Sequence, residues 1–106
     1  MSMMTAVSVP ANATTSIGEA TVYSAVPIGT ITIAYQSSNT SALNLQYVRD
    51  GSTIQTNALS TTPNGTFIDN TQLAANSNHT ITVNAVNPTA IPVVAQFSIG
   101  IATQSV

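Results

Sequence analysis

Side chains able to do chemistry are few in this sequence, and their spacing argues against a catalytic centre. His79 is the only imidazole, cysteine and lysine are absent, and the charged residues are Glu19, Arg49, Asp50 and Asp69. A metal site gathers several His, Cys or carboxylate ligands, and a calcium loop gathers several carboxylates; the sequence offers neither grouping. Asp50 and Asp69 form the candidate acid–base pair. Asp50, however, belongs to an Asp50-Gly51 turn, and Asp69-Asn70 reads as a second turn signal. A Ser/His/Asp set can be drawn because serine is abundant, but no Gly-x-Ser-x-Gly context supports it. The five glycines are scattered and form no phosphate loop. His79, beside Asn76–Asn78, reads as a solvated turn or strand-start residue. No catalytic residue, metal ligand or cofactor is assigned, and the chain is read as non-enzymatic.

Composition narrows the partners. Among 106 residues, 17 Thr, 12 Ser, 10 Asn and 6 Gln supply the polarity, while 4% are charged. Soluble domains average about 25% charged residues. A single Arg cannot neutralise a run of phosphates, which excludes nucleic-acid binding through the backbone and a polybasic membrane contact. Disordered chains pair low hydrophobicity with high charge, and this chain has neither property. A nearly neutral Thr/Ser/Asn surface gives little electrostatic repulsion and favours association, as in a protein that works within an assembly or outside the cytosol. The N-terminal residues have no positive segment followed by an apolar run, so no signal peptide is recognisable. No stretch approaches the length of a transmembrane helix. Four Asn-x-Ser/Thr sequons, beginning at Asn12, Asn39, Asn64 and Asn78, accept glycan only in a source equipped to add it.

The elements that position these residues are strands. Residues 1–16 read as a flexible N-terminal arm, with Met4, Val7, Val9 and Pro10 as candidate assembly contacts. Residues 17–106 read as one β-sandwich domain. Period-two alternation predicts strands over Ala20–Val26, Ile28–Tyr35, Ala42–Arg49, Thr66–Ile68, His79–Val86 and Val93–Thr103. Asp50-Gly51 between alternating segments predicts a two-residue type I′ hairpin, which places Arg49 opposite Ser52, Val48 opposite Thr53 and Tyr47 opposite Ile54. Turns are expected at 61–65 and 76–78, and Asn70–Ser77 has room for one turn of helix at most. The predicted core is Ile33, Leu45, Tyr47, Ile81, Phe97 and Ile99. Short strands with turns every 8–12 residues give an all-β sandwich of jelly-roll type.

The order of elements carries a resemblance. Ile31-Thr32-Ile33-Ala34-Tyr35, Asn64-Gly65-Thr66-Phe67, Thr80-Ile81-Thr82-Val83 and Phe97-Ser98-Ile99-Gly100-Ile101 resemble, in spacing and composition, the jelly-roll subunits of bacterial endospore appendages. The resemblance implies a flexible N-terminal connector and self-assembly into fibres. That family carries cysteines in and near its connector that cross-link subunits, and this chain has none.

Two functional expectations follow. The first is a structural subunit, extracellular or on a cell or spore surface, that self-assembles into a filament through unguarded sheet edges and the N-terminal arm, with itself as partner. The alternative is a non-catalytic surface or glycan-binding sandwich module, which should expose aromatic or Asn/Asp side chains on one face.

Overall fold

A computed structural model describes residues 5–38, 43–60 and 64–106. Among these the chain forms eight strands: β1 (Thr5–Val9), β2 (Ala13–Tyr23), β3 (Ile28–Ser37), β4 (Asn44–Arg49), β5 (Ser52–Ala58), β6 (Asn64–Asp69), β7 (Asn78–Asn87) and β8 (Val93–Ser105). Met4, Ala42, the sequon at 39–41 and turn residues 61–63 lie outside the described residues.

Two four-stranded antiparallel sheets face each other as a β-sandwich, in the orders β1-β8-β3-β6 and β2-β7-β4-β5. Each strand in the first half of the chain pairs with its counterpart in the second half: β1 with β8, β2 with β7, β3 with β6 and β4 with β5. Only the β4–β5 connection stays within one sheet; every other connection crosses between the two.

Alternation explains what lies between the sheets, because side chains two apart on a strand share a face. β3 sends Ile31, Ile33 and Tyr35 inward, β4 sends Leu45 and Tyr47, and β7 sends Ile81, Val83 and Ala85. Phe97 is 3% exposed, and Ile99 packs half-buried against the same cluster. Phe67 on β6 forms the aromatic centre, its ring centroid 5.3 Å from Tyr35 and 6.1 Å from Tyr47. It therefore touches an aromatic from each sheet, and such tilted pairs add about 0.5–1.5 kcal/mol to simple burial.

The expected flexible arm at 1–16 is replaced by structure throughout its described part. β1 pairs over its full length with the first residues of β8, and Ala13–Ser16 already belongs to β2. Val9 is completely buried and Val7 packs against the core, while Pro10 is exposed at the β1–β2 turn. Two alternating valines are too short a pattern to declare a strand locally. A partner nearly ninety residues away supplies the hydrogen bonds that make it one.

The Asp50-Gly51 hairpin has the expected backbone, with φ of 51° at Asp50 and 85° at Gly51. Arg49 faces Ser52 and Val48 faces Thr53, but Tyr47 faces Gln55 rather than Ile54. A bulge takes up Ile54, which still packs partly buried against the core. One extra residue in a strand bends it and strengthens the local twist. No helical turn forms at 70–77. Instead Leu73 makes an isolated bridge to Ile28, with paired backbone hydrogen bonds of 3.0 and 2.8 Å.

Two stability outcomes follow. Gly51→Val should lower stability by about 1–2 kcal/mol, because a β-branched residue is disfavoured at positive φ even in open space; an unchanged melting temperature would contradict the turn. Removing residues 1–9 should lower the denaturant midpoint markedly, because it exposes the edge of β8 and empties the Val9 site. A midpoint equal to that of the full chain would contradict the role of β1 in the core.

Candidate functional site

The polar chemistry of the molecule is concentrated where the two sheets are tied together. Leu43, Leu45, Tyr47 and Arg49 are successive alternate residues, so the inward stripe ends in a guanidinium. On β6 the same parity carries Phe67 to Asp69, which is 4% exposed. Arg49 Nη1 forms an ion pair with Asp69 Oδ2, and Tyr47 Oη donates to the same oxygen at 2.6 Å. The other carboxylate oxygen, Oδ1, accepts from the Thr71 backbone N–H at 3.0 Å. Tyr47 and Arg49 belong to one sheet and Asp69 to the other, so this cluster is a cross-link between the layers.

The electrostatics follow from burial and hydrogen bonding. Burial pushes the Asp69 carboxyl up, but hydrogen bonds from Tyr47, Thr71 and Arg49 outweigh it and hold the group below the usual carboxylate range. Burial and the Asp69 carboxylate push the Tyr47 phenol well above its ordinary value. Burial opposes the charge on Arg49, while its hydrogen bonds to Tyr47 and Asp69 more than compensate and raise it. All three groups therefore hold one fixed protonation state around neutrality. The phenol and the guanidinium both bond one oxygen of the carboxylate, and together the three side chains form a clasp between the sheets. The reading of Asp69 as only a turn residue is corrected on this point: its Oδ1 closes the turn to Thr71 and its Oδ2 joins the sheets.

Asp50 and His79 form a second pair, at the hairpin tip. Asp50 Oδ2 lies 2.8 Å from His79 Nδ1, and Oδ1 accepts from the Thr80 N–H at 2.9 Å. The Asp50 N–H in turn donates to the Thr80 carbonyl at 2.9 Å. The His79 contact first, then the Thr80 N–H, holds the Asp50 carboxyl below its ordinary value. His79 was expected to be solvated, yet its side chain is only 15% exposed and its Nε2 is enclosed without a hydrogen-bond partner. An Asp–His couple orients an imidazole as in a catalytic triad, but catalysis needs Nε2 to reach a hydroxyl or substrate. Here the couple fastens the β4–β5 hairpin to the start of β7. Among the described residues no group of three or more His, Asp or Glu is close enough to hold a metal ion. No helix among them is long and apolar enough to cross a membrane.

The outer surfaces are the remaining candidates. The edge strands are β1 and β6 in one sheet and β2 and β5 in the other. Glu19 on β2 is the only charge these four strands direct to solvent, since Asp69 points inward. Bulges interrupt β2 between Ser16 and Gly18 and β5 at Ile54. β1 has neither charge nor bulge. On the outer face of the first sheet, Gly100, Ala34 and Thr66 stand in register as the floor of a groove of about 420 Å³, beside a row of Ser98, Gln36 and Asn64. Of the five aromatic residues only Tyr23 is substantially exposed, at 59%.

The clasp contributes to the acid response, together with Asp50, whose carboxyl is also held low. The folded-state pKa of Asp69 lies below its unfolded value, so its contribution is complete above the unfolded value, about 3.9, and is lost as pH falls through the lower folded one. Stability of the native chain should therefore start to decline near about pH 5 and keep falling below about pH 4. Asp69→Asn should lower stability at pH 7, by about 3 kcal/mol if Arg49 is left without a countercharge, and flatten that acid limb. Denaturant midpoints of both proteins at pH 7, 5, 4 and 3 check it. Parallel curves would remove Asp69 from the acid response.

Comparison of the chain with family models, with curated proteins and with solved structures finds no match.

Proposed function

We propose that this chain is a structural subunit that self-assembles into an extracellular or surface filament, sandwich joined to sandwich along their sheet edges. The observation that carries the reading is the near absence of charge on four exposed edges. Isolated β-proteins commonly blunt such edges with lysine, and this chain has none.

The topology supports the same reading. Each sheet has four strands in antiparallel alternation, so its two edge strands run in opposite directions. A second copy displaced sideways in the same orientation then sets its β1 antiparallel to β6 of the first and its β2 antiparallel to β5. Both sheets would continue at once. The two flanks differ, β1 with β2 on one and β6 with β5 on the other, so this contact is head-to-tail and does not close on itself. The nested pairing of first strand with last and second with seventh supports the jelly-roll reading and, with it, the likeness to appendage subunits. The N-terminal contribution falls to β1 as an edge strand rather than to a free arm. Without cysteine in this sequence, no disulfide between its copies contributes to cohesion.

The glycan-binding alternative lacks a stacking platform, since four of the five aromatics lie in the core. Its remaining support is the amide and hydroxyl lining of the outer groove.

Light scattering of the full chain from micromolar to millimolar concentration tests the subunit reading. Growth beyond the 10.9 kDa monomer is expected, with little dependence on salt because few charges are available to screen. Ser8→Lys, which sets a charge on exposed β1, should raise the concentration needed for growth and leave the melting temperature nearly unchanged. A monomer throughout the range would overturn the proposal.

A further inference from the structure

The strand pairings fix which way the backbone groups of the open edges point. In an antiparallel ladder a residue turns its N–H and its C=O toward the same neighbour, and alternate residues turn opposite ways. Gln96 gives both groups to Ser38, just past β3: its carbonyl accepts from the Ser38 N–H, and its N–H donates to the Ser38 hydroxyl, both at 3.0 Å. Its neighbours of opposite parity, Val93, Ala95 and Phe97, therefore face β1, where they stand opposite Val9, Val7 and Thr5. That leaves the backbone of Ala6 and Ser8 turned outward. The same alternation, carried across β3, turns Gly65, Phe67 and Asp69 toward β3 and leaves Asn64, Thr66 and Ile68 outward on β6.

One of those outward groups is already engaged. Gln55 Nε2, from edge strand β5 of the other sheet, donates to the Ile68 carbonyl at 3.1 Å. Asn57, two residues on, reaches across the same flank, its Nδ2 donating to the Tyr35 hydroxyl at 3.1 Å. An open edge offers a row of backbone donors and acceptors to an arriving strand. Gln55 takes one acceptor from the end of this row.

We propose that Gln55 selects the register in which β1 of a second copy joins β6, placing Ser8 opposite Asn64 and Ala6 opposite Thr66. This register rests on the self-assembling reading and aligns one of its two edge contacts. Only slips of two residues keep outward groups facing each other and inward side chains on the inner face. A slip toward the start of β6 carries Ser8 past Asn64, the first residue of the strand. A slip the other way sets Ala6 opposite Ile68, where the arriving N–H must displace the Gln55 amide or share its acceptor. Between these stops, one register lets both pairs exchange both of their backbone bonds. It sets Val7, which packs inward, opposite Gly65, and neither segment carries a charge to be buried unpaired.

Because the native chain has no cysteine, single-cysteine chains report the alignment directly. Opposed residues of a hydrogen-bonded pair have Cα atoms about 5.5 Å apart, within disulfide reach, and a two-residue slip moves them about 7 Å along the strand. Under mild oxidation, Ser8→Cys mixed with Asn64→Cys should form heterodimers several-fold faster than Ser8→Cys mixed with Thr66→Cys. Ala6→Cys should likewise prefer Thr66→Cys to Ile68→Cys. Adding Gln55→Ala to both partners should raise the slipped Ser8–Thr66 product relative to the Ser8–Asn64 product. Independently, Ala6→Pro removes an outward N–H and leaves the β1–β8 ladder its bonds. It should raise the concentration for half-maximal growth about fivefold, as for one backbone hydrogen bond lost, with the melting temperature nearly retained. Linkage of Ser8→Cys to Thr66→Cys as fast as to Asn64→Cys, a product ratio unmoved by Gln55→Ala, or an Ala6→Pro chain that associates like the parent would overturn the register. If the parent meanwhile grows in light scattering, the subunit reading stands and only this alignment fails. A parent that stays monomeric and cross-links in no mixture removes both.

Discussion

The sandwich depends on one buried ionic cluster. Two of the chain's four charged residues, Arg49 and Asp69, meet between the sheets, and the Tyr47 hydroxyl completes the carboxylate's shell. Bringing charges out of water is expensive, and a well-packed apolar replacement is often as stable as such a pair. Its value lies in selection. An apolar face can slide over another apolar face, whereas this carboxylate is satisfied only when β6 and β4 meet in one alignment. A one-residue slip of either strand would turn its charge outward and leave the partner buried alone. The bulge at Ile54 can be understood in the same frame: it lets β5 twist while Tyr47 and Arg49 keep their places on β4.

Much of this architecture is legible in the sequence because period-two patterning is local. The stripes of β3, β4, β7 and β8 are visible as alternating apolar runs, and Asp50-Gly51 declares its turn by the φ angles that it alone tolerates nearby. What escapes is non-local. β1 is two valines wide and becomes a strand only because β8 is beside it. The extra residue at Ile54 has no signature in a segment reading Ser-Thr-Ile-Gln-Thr.

The clasp was present in the sequence but easily passed over. Arg49 follows Tyr47 by two, and Asp69 follows Phe67 by two, so both charges continue inward stripes. Ending the inward stripe of the Ala42–Arg49 strand at Tyr47, and reading Asp69 as a turn residue, stops each alternation one position early. His79 illustrates the opposite limit. Its position at a strand start suggests solvent, and only the packing of the hairpin tip against β7 encloses it. Neither the sheet edges nor the outer groove can be assigned without knowing which strands are neighbours, and that depends on pairings across most of the chain.

The nested pairing also governs the timing of folding. β8, the final strand in sequence, lies between β1 and β3 and is the sole hydrogen-bonded neighbour of β1 within its sheet. Until β8 has emerged from the ribosome, β1 has nothing to pair with and the first sheet is split. The innermost hairpin, β4–β5, has the shortest loop to close and can form early, with the outer pairs added around it in order of increasing loop length. The β1 edge, one half of the joint through which copies would meet, is thus created last, so a partly synthesised chain presents its β5 and β6 edges without the partner edge they need.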